Sequence, residues 1–122
     1  MKPVSVEYVG EAETAYLKLN EIVAQEKARG VPNSENQKLL KSLKMKEILL
    51  KANPQAGDHI PQKNIPQKTA ELYNTSHLWR LEIYNYWRAI YTITGNEVEI
   101  LALVLDIVDH DRYNKLFRYK KK

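Results

Sequence analysis

Alternation of apolar and polar residues with a period of two marks the C-terminal third of the chain and predicts three β-strands. The first two cover residues 78–83 and 86–93, and each alternates like a half-buried strand. The third, residues 100–108, is apolar on both faces, which is typical of a central strand. Residues 94–97, Thr-Gly-Asn-Glu, predict a tight hairpin turn between the last two strands.

Strand parity assigns each side chain of these strands to one face of the sheet, because successive side chains point in opposite directions. It places Arg80 and Arg88 together on the face away from the core, and it adds Asp106 and, by extension, His110 to that face. The residues predicted to lie on the core face are Trp79, Leu81, Trp87, Tyr91, Leu101, Leu103 and Leu105.

The N-terminal half predicts one strand and two helices. Residues 4–9 alternate like a strand, and apolar residues recur every three or four positions over 11–27, which predicts a helix. Ser34, followed three residues later by Gln37, is a capping-box pattern that starts a second helix ending near Ala52. A short turn joins the two helices and favours an antiparallel helical hairpin.

Residues 53–76 contain three prolines and predict an extended, irregular connection, and a short helix is expected over 111–117. We therefore expect a single α+β domain spanning residues 1–122, in which an antiparallel β-sheet packs against an N-terminal helical hairpin and a short C-terminal helix completes the fold. Its length of 122 residues fits one domain.

Charge is concentrated at the C-terminus. The net charge is +4, and residues 110–122 alone contain six Lys or Arg and one acid. Such a tail favours a polyanionic or acidic partner, and a solubilising tail is the alternative. The chain has no cysteine, no apolar leader and no apolar run long enough to span a bilayer, so we expect a cytoplasmic protein with no membrane contact, metal or cofactor.

The residues of this face support the hypothesis that it holds a phosphodiester, and cleavage of RNA is a reaction that such a site can be tested against. Attack by a 2′-hydroxyl, which gives a cyclic phosphate, requires a base, an acid and cations that stabilise the phosphorane. Arg80 and Arg88 supply fixed cations, His110 suits proton transfer at neutral pH, and Tyr113 donates or orients a proton. The predicted contacts to flanking RNA come from Arg112, Arg118, Tyr119, Lys120 and Lys121.

Purely structural alternatives stay open for these residues. Arg80 pairs with Glu82 or Asp106 in one of them, and His110 caps or anchors the terminal helix in another. In a third, Tyr113 packs on the sheet, and its helical spacing with Leu116 and Phe117 is consistent with that.

Three segments resemble the RelE/ParE toxin superfamily: Leu-Trp-Arg-Leu at 78–81, Tyr-Trp-Arg-Ala-Ile-Tyr-Thr-Ile at 86–93, and Leu-Asp-Ile-Val-Asp-His-Asp-Arg-Tyr-Asn-Lys-Leu-Phe at 105–117. The segment at 33–40 resembles its longer, archaeal-type branch. The resemblance implies a toxin of a type II toxin–antitoxin system that binds a cognate antitoxin, as a homodimer or as a heterotetramer with it.

Two activities follow from this resemblance. The RelE branch implies ribosome-dependent, metal-independent cleavage of messenger RNA, which inhibits translation, with Arg80, Arg88, His110, Arg112 and Tyr113 at matching positions. The ParE branch, or a degenerate member, implies a non-enzymatic protein that binds gyrase or only an antitoxin. Three departures bear on this choice: Glu82 stands where a basic residue often occurs, Asp111 adds negative charge beside His110, and Phe117, at the far aromatic position, cannot transfer a proton.

Overall fold

The computed structural model of the protein describes residues 2–118. It contains four α-helices, five β-strands and one 3-10 turn in these residues. In chain order the elements are β1 (Val4–Tyr8), α1 (Glu11–Ala28), α2 (Glu35–Ala52), β2 (Asp58–His59), the 3-10 turn (Gln62–Asn64), α3 (Gln67–Tyr73), β3 (Trp79–Tyr84), β4 (Trp87–Gly95), β5 (Ile100–Val108) and α4 (His110–Leu116).

The five strands form one mixed sheet in the order β1-β5-β4-β3-β2. The three C-terminal strands pair antiparallel through short turns, as predicted, and β2 adds antiparallel to β3. The prediction of a wholly antiparallel sheet is wrong at β1, which runs parallel to β5 with Val4 opposite Ile100. A hairpin turn forces the two strands it joins to pair antiparallel. No hairpin turn joins β1 to β5, so the neighbouring sequence does not determine the direction of β1 in the sheet.

The two long helices cover one face of the sheet, with α1 against β5 and α2 against β3. Ser34 begins α2 as predicted, and its hydroxyl accepts a hydrogen bond from the Gln37 backbone at 3.2 Å. Ser34 also donates to the Glu26 carboxylate, which ties the two helices together. The buried residues of this layer are Ala12, Leu19, Val23, Leu39, Leu40, Leu43, Leu50, Leu81, Ile83, Ala89, Tyr91, Ala102, Val104 and Ile107.

The opposite face of the sheet is partly covered by a smaller apolar layer, built by α3, α4 and the segment around the 3-10 turn. Its buried residues are Ile60, Ile65, Tyr73, Leu78, Ile90, Val108, Tyr113, Leu116 and Phe117. The prediction that residues 53–76 are irregular throughout is therefore wrong, because the segment contains β2, the 3-10 turn and α3. Pro66 immediately precedes α3, where a proline is tolerated, so proline there did not exclude a helix.

The predicted face assignment of β5 is wrong over its first half. Ala102 and Val104 face the helices, whereas Leu101, Leu103 and Leu105 are only half-buried. Because β5 is apolar on both sides, its alternation did not determine its orientation. The ladder with β4 shifts register at residue 105, and this bulge brings Asp106 onto the predicted arginine face. The assignments of β3 and β4 agree with the structure, with Trp79 and Trp87 half-buried against the helices.

Candidate functional site

Two arginines lie on the sheet face opposite the long helices and share one aromatic support. Arg80 on β3 pairs with Ile90 on β4, so Arg88 is its diagonal neighbour, ~7–8 Å away between Cα atoms. The Arg80 Nη1 donates to the Tyr113 hydroxyl at 2.8 Å, and the Arg88 Cζ lies 4.9 Å from the centroid of the Tyr113 ring. The Arg80 Cζ lies 5.6 Å from the same centroid. One side chain of α4 therefore orients both guanidinium groups.

Tyr113 is itself a core residue, since only 1% of its surface is exposed. It packs against Phe117 with ring centroids 4.8 Å apart, and Leu116 is buried beside them. The structural alternative for these three residues is thus confirmed. A side chain so deeply buried fits the orienting role predicted for Tyr113 and reaches a bulky substrate poorly.

His110 lies at the exposed start of α4 and contacts Arg88. Its Nδ1 is 3.4 Å from the Arg88 Nη1, and because guanidinium nitrogens only donate, Nδ1 acts as an acceptor in this contact. The Tyr86 ring lies 5.7 Å away between centroids. The alternative that His110 caps α4 is wrong, because the cap is Asp109, whose carboxylate accepts from the Arg112 backbone at 2.9 Å.

Asp58 on β2 meets the opposite side of the arginine pair. Its Oδ2 is 3.7 Å from the Arg80 Nε, and 78% of its side chain is exposed. The alternative partners considered for Arg80, Glu82 and Asp106, are not its ion-pair partner here. Gly57 allows this close approach of β2 to β3, because a Cβ added at Gly57 would lie 2.3 Å from the Arg80 carbonyl oxygen.

Arg112 contacts a buried carboxylate instead of joining the arginine pair. Its Nη2 lies 3.8 Å from the Asp106 Oδ2, which also accepts from the Tyr73 hydroxyl at 2.7 Å. The Asp106 Oδ1 accepts from the Ile107 backbone at 2.9 Å. Burial raises the pKa of the Asp106 carboxyl above its ordinary value, and the hydrogen bond from Tyr73 opposes that rise. Half of the Arg112 side chain, 51%, stays exposed.

Arg118 lies at the rim of a cleft of about 300 Å³ whose lining also includes Arg80 and Tyr113. Its backbone N–H donates to the Asn64 carbonyl at 2.8 Å, which ties the end of α4 to the 3-10 turn. The side chain of Arg118 is exposed, as its predicted role in RNA binding requires. Tyr119, Lys120 and Lys121, predicted for the same role, lie outside the described residues.

Sequence reasoning missed Asp58 and Tyr73 because both lie in the segment interpreted as a loop. Asp58 had one available signal: Gly57 precedes it and marks a close backbone approach. Asp109 also carried a signal, since an Asp at this position before a helix is a standard N-cap. The contact of Tyr73 with Asp106 spans 33 residues of sequence, and no local pattern predicts it.

In comparisons with protein-family models, curated proteins and solved structures, no match to this chain was found. Within residues 2–118, no helix combines the length and the apolar character that crossing a membrane requires. Over the same span, no group of three or more His, Asp or Glu side chains is placed to hold a metal ion.

Proposed function

We propose that the protein is a RelE-like toxin of a type II toxin–antitoxin system, which cleaves messenger RNA on the ribosome and is restrained by a cognate antitoxin. The observation that carries the proposal is that Tyr113 contacts both Arg80 and Arg88, and that His110 contacts Arg88, on the sheet face opposite the long helices. Two guanidinium groups and one imidazole are the donors that a phosphorane and its leaving group require.

The role of each of these groups follows from its chemistry. Arg80 and Arg88 bind the non-bridging phosphate oxygens and stabilise the charge that grows in the transition state. His110 transfers a proton to or from one of the bridging oxygens. Tyr113 holds the two guanidinium groups at fixed positions, so little reorganisation is needed when the phosphate arrives.

A reconstituted ribosome with a defined message tests this function. Arg88→Ala should slow cleavage roughly 10²–10³-fold, because the phosphorane loses a fixed donor. His110→Ala should slow cleavage by about 10²–10⁴-fold, the usual contribution of proton transfer. Arg29→Ala, which removes an exposed arginine next to α1, is the matched control and should cleave like the parent protein.

The second candidate is a non-enzymatic ParE-like or degenerate member that binds gyrase or only an antitoxin. The burial of Tyr113, which is only 1% exposed, favours it, because the Tyr113 hydroxyl is then poorly placed to transfer a proton to a substrate. Mapping of messenger RNA 5′ ends after expression in cells separates the two candidates. New ends at ribosome-bound codons support the nuclease, and growth arrest without new ends supports the binding protein.

A further inference from the structure

Cleavage of RNA by its own 2′-hydroxyl needs two proton transfers, and His110 can carry out only one of them. One group must remove the proton of the attacking 2′-hydroxyl, and another must give a proton to the departing 5′-oxygen. His110 fills one of these roles. The second group must lie on the same face, be exposed to substrate, and accept a proton.

We propose that Asp58 is the general base and that His110 is the general acid. Asp58 takes the proton of the 2′-hydroxyl as that oxygen forms its bond to phosphorus. The bond from phosphorus to the 5′-oxygen breaks, and His110, which can carry a second proton once the phosphate has drawn Arg88 away from its Nδ1, gives a proton to that oxygen. The products are a 2′,3′-cyclic phosphate and a 5′-hydroxyl; Asp58 ends protonated and His110 neutral, so the protons balance. This assignment rests on the proposed function.

The contacts across the site form one continuous series. Asp58 is 3.7 Å from Arg80, Arg80 is 2.8 Å from the Tyr113 hydroxyl, and the Tyr113 ring is 4.9 Å from Arg88. His110 follows, 3.4 Å from Arg88. The carboxylate and the imidazole thus flank the arginine pair at opposite ends. Displacement at phosphorus places the attacking and leaving oxygens roughly in line, so a phosphate held by both arginines has a base beside one oxygen and an acid beside the other.

The fold contains a specific support for Asp58. The Tyr91 hydroxyl accepts from the Gly57 backbone at 3.0 Å and donates to the Pro54 carbonyl at 2.8 Å. These bonds hold the segment before β2 against the sheet, and they place Asp58 opposite Arg80 in the ladder. With 78% of its side chain exposed, Asp58 is accessible to a ribose hydroxyl.

Glu82 is the competing carboxylate. It lies opposite Arg88 in the ladder between β3 and β4, and it is exposed. Its side chain makes no ion pair with the described residues within 4.0 Å, whereas Asp58 contacts Arg80. The two carboxylates are therefore distinguished by position, and replacing each one separately tests the assignment.

Single-turnover cleavage of ribosome-bound message measures the effect of each carboxylate. Asp58→Asn keeps the side-chain size and should slow cleavage by about 10²–10⁴-fold, while binding to the ribosome stays equal or becomes tighter, because a negative charge is lost. Glu82→Gln and the distant hairpin control Glu97→Gln should cleave at the parent rate. An unchanged or faster rate for Asp58→Asn, or a loss confined to Glu82→Gln, overturns the assignment while leaving the proposed function intact.

A message with sulfur in place of the scissile 5′-oxygen separates base from acid. A thiolate leaves without a proton, so the acid becomes unnecessary and the base does not. His110→Ala should recover cleavage on this message, and Asp58→Asn should remain slow. The reverse pattern assigns the roles the other way and refutes the proposal. If the parent protein cleaves neither message, the proposed function itself fails and this assignment fails with it.

Discussion

Replacing Tyr73 by Phe tests the buried network that holds α4 in place. The change removes a hydroxyl that donates to the Asp106 carboxylate at 2.7 Å and leaves the packed ring intact. Asp106 is 6% exposed, so water cannot readily replace the lost donor. Its remaining partners are the Ile107 backbone at 2.9 Å and Arg112, which is half exposed and 3.8 Å away.

The expected cost follows from these contacts. A buried hydrogen bond to a charged group contributes about 1.5–3 kcal/mol, and we expect the upper half of that range because the carboxylate is left poorly solvated. Lowering the pH should shrink this cost. Burial already raises the Asp106 pKa, and losing the Tyr73 bond raises it further, so the variant protonates first on acidification and regains stability relative to the parent.

Urea unfolding of both proteins at pH 7 and at pH 4.5 measures this effect. Tyr86→Phe, at a tyrosine that is 70% exposed, is the matched control and should change the free energy of unfolding by less than about 0.5 kcal/mol. In a background carrying Asp106→Asn, Tyr73→Phe should cost less, because no buried charge remains. A cost at pH 7 equal to the control, or one that grows on acidification, would refute the reasoning.

Two further predictions follow from local geometry, and a third follows from the charge of the C-terminal residues. Gly57→Ala should destabilise the protein by about 1–3 kcal/mol in urea unfolding, because the new Cβ meets the Arg80 carbonyl oxygen at 2.3 Å and the Tyr91 hydroxyl at 2.8 Å; an unchanged midpoint would contradict this. Ser34→Ala should cost about 1 kcal/mol in the same assay through loss of the α2 cap, and full stability would show that the cap is dispensable. Deleting Lys120–Lys122 should weaken RNA binding and flatten its salt dependence, and identical salt slopes would assign these lysines to solubility alone.

Most secondary-structure elements could be predicted from the sequence because their patterns are local. The helices at 11–28 and 35–52 have amphipathic spacing, and in β3 and β4 most residues alternate between apolar and polar. The orientation of β5 could not be predicted, because a strand that is apolar on both sides gives no preference between its faces. A bulge then changed its parity at residue 105, and a bulge of this kind leaves no distinct mark in an apolar strand.

In the candidate site, too, the positions of some residues could be predicted from the sequence and those of others could not. Arg80 and Arg88 could be placed together because they lie on well-patterned neighbouring strands. Asp58 could not, because its position depends on a two-residue strand whose stability comes from Tyr91, a residue far away in sequence. Helical spacing does not decide whether Tyr113 is buried or exposed, because core residues and catalytic residues on a helix can have the same spacing.

Two carboxylates of this face, Asp106 and Asp58, pair with arginines, and the difference in their burial separates their roles. Asp106 has 8% of its side chain exposed and is fixed by Tyr73, so exchange of its partners for an RNA phosphate would leave a buried charge without compensation. Asp58 has 78% of its side chain exposed, and its pairing with Arg80 is weakened by solvent. Under the proposed function, an RNA phosphate would therefore displace Asp58 from Arg80 at little cost and would leave the carboxylate beside the RNA. Arg112, by contrast, stays paired with Asp106, the buried carboxylate that holds α4 against the sheet.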